Sequence, residues 1–165
     1  MTRERFWKLV DQVKGTKEPE AAIAKLMRKL TPKELVSYQE HFDTLVRDSY
    51  RWDLWGAAYI LGGGCSDDGF IDFRYGLIAR GREVYESALK NPDSLAELTI
   101  RNEIPNELFG YAAGELYEEL TEEDEMPRLP PPKKPPKPLG EEWDFDDVKQ
   151  NARRLPKLWA KYGAR

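Results

Sequence analysis

The chain has 165 residues, with 26 basic and 30 acidic side chains and a net charge of −4. That length suits one domain able to bury a core without disulfide staples, and the acidic balance argues against nucleic acid, which wants a basic face. Cys65 is the single cysteine, so no internal disulfide can form and a reducing cytoplasm is expected.

Phe6, Leu9, Val10 and Val13 recur at helical spacing, and Gly15 closes the segment. The start, Met1 to Lys8, has no apolar signal core. Ile23, Leu26, Met27 and Leu30 form a second stripe. Thr31-Pro32-Lys33-Glu34 reads as a capping box with proline at the first helical position. The helix it opens carries Leu35, Tyr38, Phe42, Leu45, Val46 and Ser49 inward. Trp52 to Leu61 is apolar on nearly all sides, so a central, covered helix is expected. Its longest apolar run, Leu54 to Leu61, is far short of the ~20 residues of a membrane span.

Gly62-Gly63-Gly64 ends that helix, and Ser66 to Asp68 restart the chain. Phe70, Phe73, Leu77 and Ile78 make the next stripe, with Gly81 as its stop. Val84, Tyr85, Ala88 and Leu89 follow, ended by Asn91-Pro92. Asp93 or Ser94 is the expected cap of a brief helix through Leu98. After Pro105, Leu108, Tyr111, Ala112, Leu116 and Leu120 predict a longer helix. No segment shows sustained β alternation, and no repeat of 20–50 residues is visible.

Composition changes at Glu115. Glu115 to Glu125 holds seven acidic residues and no basic one. Met126 to Leu139 holds seven of the twelve prolines and four basic residues, the pattern of an extended spacer. Trp143 to Tyr162 is again helix-like, with Asp144 or Asp146 as caps, Val148 and Ala152 on one side and Pro156 dividing it. Leu155, Leu158, Trp159 and Tyr162 are too apolar for a free tail. The expected architecture is all-α: a helical domain over 1–125, a Pro-rich strap over 126–140, and a helical segment over 141–165 that docks back.

The richest candidate for a site is the Gly62–Phe73 block. Asp67 and Asp68 beside a glycine-rich loop, with Asp72 one turn on, suit a divalent cation; helix capping is the simpler account. The glycines lack the lysine and Ser/Thr of a P-loop, and no strand precedes them. His41, the only histidine, is a candidate general base, although a structural role is favoured. Arg74 lies three residues from both Ile71 and Leu77, so an inward ion pair with Asp67 or Asp53 is expected, with anion binding as the alternative. Cys65 lacks a partner for catalysis.

Phe6-Trp7, the Trp52–Tyr59 segment, GGGCSDDGFIDFRYGLIARG, Asn91-Pro92-Asp93-Ser94-Leu95 and Leu155-Pro156-Lys157-Leu158-Trp159 together resemble the actinobacterial family called domain of unknown function 4240. The resemblance implies a small, mostly helical, cytoplasmic bacterial protein and carries no catalytic residue or cofactor. Two functional readings remain. The favoured one is a non-catalytic interaction or regulatory module that binds another protein through Gly63, Gly64, Ser66, Asp67, Asp68 and Phe70, with Glu115–Glu125 as an acidic face for a basic partner. The alternative is a metal-assisted hydrolase using the Ser66-Asp67-Asp68-Gly69 turn. Asp67, Asp68 and Asp72 would hold the cation, Arg74 would stabilise charge and His41 would act as base. No membrane association is expected, and the oligomeric state stays open.

Overall fold

Local sequence sets where each helix begins. The computed structural model describes residues 1–98, 103–127 and 137–163. Most of the expected strap, residues 128–136, lies outside the described residues. Among those described, the chain is helical, with one isolated parallel bridge between Arg51 and Leu139. Helices α1 (Arg3–Asp11), α2 (Pro19–Met27), α3 (Pro32–Asp48), α4 (Trp52–Gly62), α5 (Asp67–Ala79) and α6 (Arg82–Lys90) follow in order. A 3-10 turn (Pro92–Glu97) leads on to α7 (Glu107–Thr121), α8 (Val148–Arg154) and α9 (Pro156–Leu158). A π-helical turn over Trp159–Gly163 closes the described chain.

The capping box of α3 forms as expected. The Glu34 amide donates to Thr31 Oγ1 at 3.3 Å, and the Thr31 amide donates to Glu34 Oε2 at 2.9 Å. Leu35, Tyr38, Phe42 and Leu45 are buried from this helix, next to Phe6, Trp7 and Val10 of α1. Helix α4 buries Leu54, Gly56, Ala57, Ala58, Ile60 and Leu61, so it is covered on several faces. Gly63 ends it at φ +70°, a left-handed conformation that costs glycine no side-chain clash.

Helix α7 packs on α2, α3 and α5, and of the five residues expected along it only Ala112 and Leu116 face inward. Leu108 and Tyr111 are 57% and 44% exposed, and Leu120 also faces outward. The buried side is Phe109, Ala112, Ala113, Leu116 and Tyr117. That set has the i, i+3, i+4, i+7, i+8 spacing of a helical face. It was obscured because two of its members are alanines and a third anchor is Gly110, where an added Cβ would sit 2.2 Å from the Tyr75 ring.

The C-terminal segment packs on α4 and on the 3-10 turn. Leu139 joins Tyr50 and Trp52 through two backbone hydrogen bonds of 2.9 Å. Trp143 is buried against Gly56, and its indole N–H donates to Asn151 Oδ1 at 2.9 Å. Neither Asp144 nor Asp146 caps α8. Asp147 does, accepting from the Lys149 and Gln150 amides, while Asp144 closes a turn with the Asp146 amide. Val148 is 57% exposed, and Asn151 takes the buried position instead. Leu155 and Leu158 are buried, as the apolar spacing requires.

Asp93 does not cap its own turn. Asn91 caps that turn, and the buried Asp93 carboxylate accepts from the Lys157 and Leu158 amides at 3.0 and 2.9 Å. A carboxylate at the start of α9 satisfies donors that would otherwise be orphaned. Gly56→Ala tests how the segment is held, because the new Cβ would lie 2.2 Å from Trp143 Cζ2. We expect loss of about 2–4 kcal/mol in urea unfolding, and faster tryptic cleavage after Lys149, Arg153 and Arg154. Unchanged stability and cleavage would show that Trp143 contributes little to docking.

Candidate functional site

The turn between α4 and α5 is built from residues without bulk. Gly63 and Gly64 have φ of +70° and +133°, so neither position accepts a larger side chain without strain. Trp55 fixes the turn from beneath, donating its indole N–H to Cys65 O at 3.0 Å. Ser66 then starts α5 as its N-cap, accepting from the Gly69 amide at 3.2 Å. Capping is therefore done by Ser66, and Asp67 and Asp68 are exposed carboxylates in the first turn, where the helix dipole favours them.

Phe70 is not a surface residue. Its ring is 1% exposed and stacks on Trp55, with centroids 4.8 Å apart and planes 12° apart. It supports the turn from inside. Arg74 also departs from expectation. It is 5% exposed and pairs with neither Asp67 nor Asp53. Its guanidinium donates to Val46 O at 2.8 Å and Phe70 O at 3.2 Å, and lies 5.0 Å from the Tyr50 ring centroid and 4.9 Å from that of Phe70. Carbonyl oxygens and ring faces satisfy the cation in place of a carboxylate. Asp53 pairs instead with Arg51 at 3.0 Å.

His41 belongs to another part of the molecule. Its Nε2 lies 3.0 Å from Met1 O, and its ring centroid is 5.9 Å from that of Phe6. The Met1 amino group bonds Ser37 beside it. The structure thus brings His41 to α1 and gives it no contact with the turn. Among the described residues, no group of three or more His, Cys, Asp or Glu side chains could hold a metal ion, so Asp67, Asp68 and Asp72 are not gathered into one.

Burial lifts the Asp72 carboxyl above the usual range, helped by the nearby charges of Glu107 and Asp68. Burial also pushes the Cys65 thiol up to about 11, so little thiolate exists at neutral pH and a nucleophilic role is disfavoured.

A cavity of about 220 Å³ opens at this turn. Ala58, Leu61, Phe73, Ile104 and Pro105 give its apolar walls; Gly62, Gly64, Cys65, Ser66 and Gly69 form the remainder. Ile104 and Pro105 were not singled out from sequence. They arrive because the backbone crosses α5 at Gly76, where an added Cβ would fall 1.4 Å from Ile104 O. The Asn106 amide bonds Asp72 O at 2.9 Å and fixes the crossing. Gly76 was the one available local signal. A larger, more polar cleft of about 570 Å³ lies on the other side of Ile104, but its Arg80 is already engaged with Glu103 O at 2.5 Å.

The family model described as a protein of unknown function, DUF4240, matches residues 1–119. The chain belongs to this family. The DUF4240 match takes in the whole glycine turn and the Ile104–Pro105 wall, and it stops before the C-terminal segment that packs on α4. No curated protein and no solved structure matches the chain. Among the described residues, no helix is long and apolar enough to cross a membrane.

Two changes separate capping from metal binding. Ser66→Ala should cost about 1 kcal/mol in urea unfolding by removing the cap. Asp67→Asn with Asp68→Asn should cost less, and Mg²⁺ or Mn²⁺ should leave the melting temperature of both proteins unchanged. A cation at one hundred times its Kd would add about 2.7 kcal/mol. A metal-dependent rise lost in the double variant would restore the metal reading.

Proposed function

We propose that this DUF4240 chain is a non-catalytic interaction module that receives an apolar side chain of a protein partner at the glycine turn. The observation that carries this reading is the open apolar cavity between α4, α5 and Ile104–Pro105. Its walls are largely apolar, the Ser66 hydroxyl at its edge is engaged in capping α5, and the Cys65 thiol is held protonated by burial. Concave apolar sites with a few polar groups at the edge suit binding. The hydrolase alternative draws no comparable support, because its base and its carboxylates are not assembled around one reacting position.

Gly62 lies at the mouth, is exposed, and has nothing within 4 Å of where a Cβ would stand. Replacing it with the photo-crosslinking residue p-benzoylphenylalanine in the producing cell should give a discrete protein adduct. The same residue at Gly114 of α7, also in open space, should not give that adduct. Adduct patterns that are the same from both positions, or none from Gly62, would overturn the reading.

A further inference from the structure

Helix α4 meets the cavity and the C-terminal segment through different residues. Ala58 and Leu61 line the cavity. Trp52, Trp55 and Tyr59 meet Phe145 of the segment, whose ring centroid lies 6.0, 6.2 and 5.4 Å from theirs. The Tyr59 hydroxyl also donates to Asp146 Oδ1 at 2.6 Å. Among the described residues, none of the segment lines the cavity.

Two of the gripped residues hold the glycine turn with their other polar groups. The Trp55 indole N–H donates to Cys65 O at 3.0 Å. The Tyr59 carbonyl accepts from the Gly63 amide and, at 2.9 Å, from the Gly64 amide. Gly64 and Cys65 both line the cavity. Trp55 stacks on Trp52 and on Phe70, so its ring plane, and with it the direction of its N–H, is set by its neighbours.

We infer, on the reading of the cavity as a partner site, that the docked C-terminal segment is a clamp that shapes this site, with Trp55 and Tyr59 as its positioning residues. With Phe145 and Asp146 in place, the turn is held ready. When the segment lifts, both residues lose that support and the turn loosens. Binding at the cavity and docking of the segment therefore strengthen each other. A turn ordered in advance also spares the partner the cost of ordering it. The family match ends at residue 119, so the clamp comes from chain beyond the matched region.

The test uses the full chain and two readouts. Native-state hydrogen exchange follows the Gly64 amide and the Trp55 indole N–H. Amide shifts at Gly64, Ser66 and Gly69 follow titration with toluene, the side-chain analogue of phenylalanine. Phe145→Ala should speed exchange at both sites roughly tenfold and raise the toluene Kd roughly fivefold. Phe145→Tyr keeps the ring and should restore both. Asp146→Ala, at an exposed position, should move both in the same direction by a smaller factor. Val10→Ala, a buried change in α1, reports general loss of stability and should leave the toluene Kd unchanged. If Phe145→Ala and Asp146→Ala leave both readouts unchanged, or Val10→Ala moves them as far, the clamp is overturned and the cavity reading stands. If toluene moves none of the three amides in the wild type, the cavity reading falls and the coupling with it.

Discussion

A helix that is apolar around its circumference has to be covered on every side, and α4 imposes that demand on the rest of the molecule. Leu54, Ala57, Ala58, Ile60 and Leu61 are buried, and only Asp53 and Tyr59 bring polar groups of this helix toward solvent. Helix α5, the 3-10 turn and the C-terminal segment each cover part of it. Gly56 admits the Trp143 ring where any side chain would exclude it. The Trp52–Trp55–Phe70 stack continues the cover toward the turn, with ring centroids 5.5 and 4.8 Å apart. The cavity is the place where covering fails. The helix ends in glycines, and α5 and Ile104–Pro105 approach without side chains to close the gap.

Several buried polar groups of the same core have partners, although Trp7 Nε1 and Tyr38 Oη have none among the described residues. Asp93 binds two amides of α9, Asn151 bonds Trp143 and Phe145, and Arg74 bonds two carbonyls beneath aromatic rings. Leaving such a group unpaired in the interior would cost on the order of 1–3 kcal/mol. These contacts join residues as much as 65 positions apart, from Asp93 to Leu158, so they tie the C-terminal segment to one place on the domain. Hydrophobic burial alone would hold it with less definition of register.

The pattern of helix starts and stops was readable from the chain because its causes are local. Thr31 and Glu34 cap each other three residues apart, and the glycines after Leu61 permit the left-handed turn. The inward face of α7 was readable only in Ala112 and Leu116; it also takes in Gly110 and Ala113, which no hydrophobic count weights strongly. The roles of Asp93 and Arg74 escaped for another reason. A local rule assigns an acid to its own turn and an arginine to the nearest acid. The fold instead supplies amides from α9 and carbonyls from α3 and α5. The site was half visible: Gly63, Gly64, Ser66 and the aspartates could be named, whereas Ile104 and Pro105 depend on a long-range crossing.

That crossing also decides what chemistry the turn can support. Asp68 and Asp72 lie on α5 and Glu107 opens α7, so their relative positions follow from the Gly76–Ile104 contact and from the hydrogen bond between Asn106 and Asp72. The Asp72 carboxyl is raised by burial and by the charges of Glu107 and Asp68, and among the described residues no three carboxylates are grouped to hold one ion. Catalysis would need a base, a nucleophile and a charge stabiliser converging on one point. Here His41 is spent on Met1, the Cys65 thiol is held protonated and Arg74 is satisfied in the core. What meets at the turn is the apolar lining of Ala58, Leu61, Phe73, Ile104 and Pro105, with the Ser66 cap and the glycine backbone at its edge.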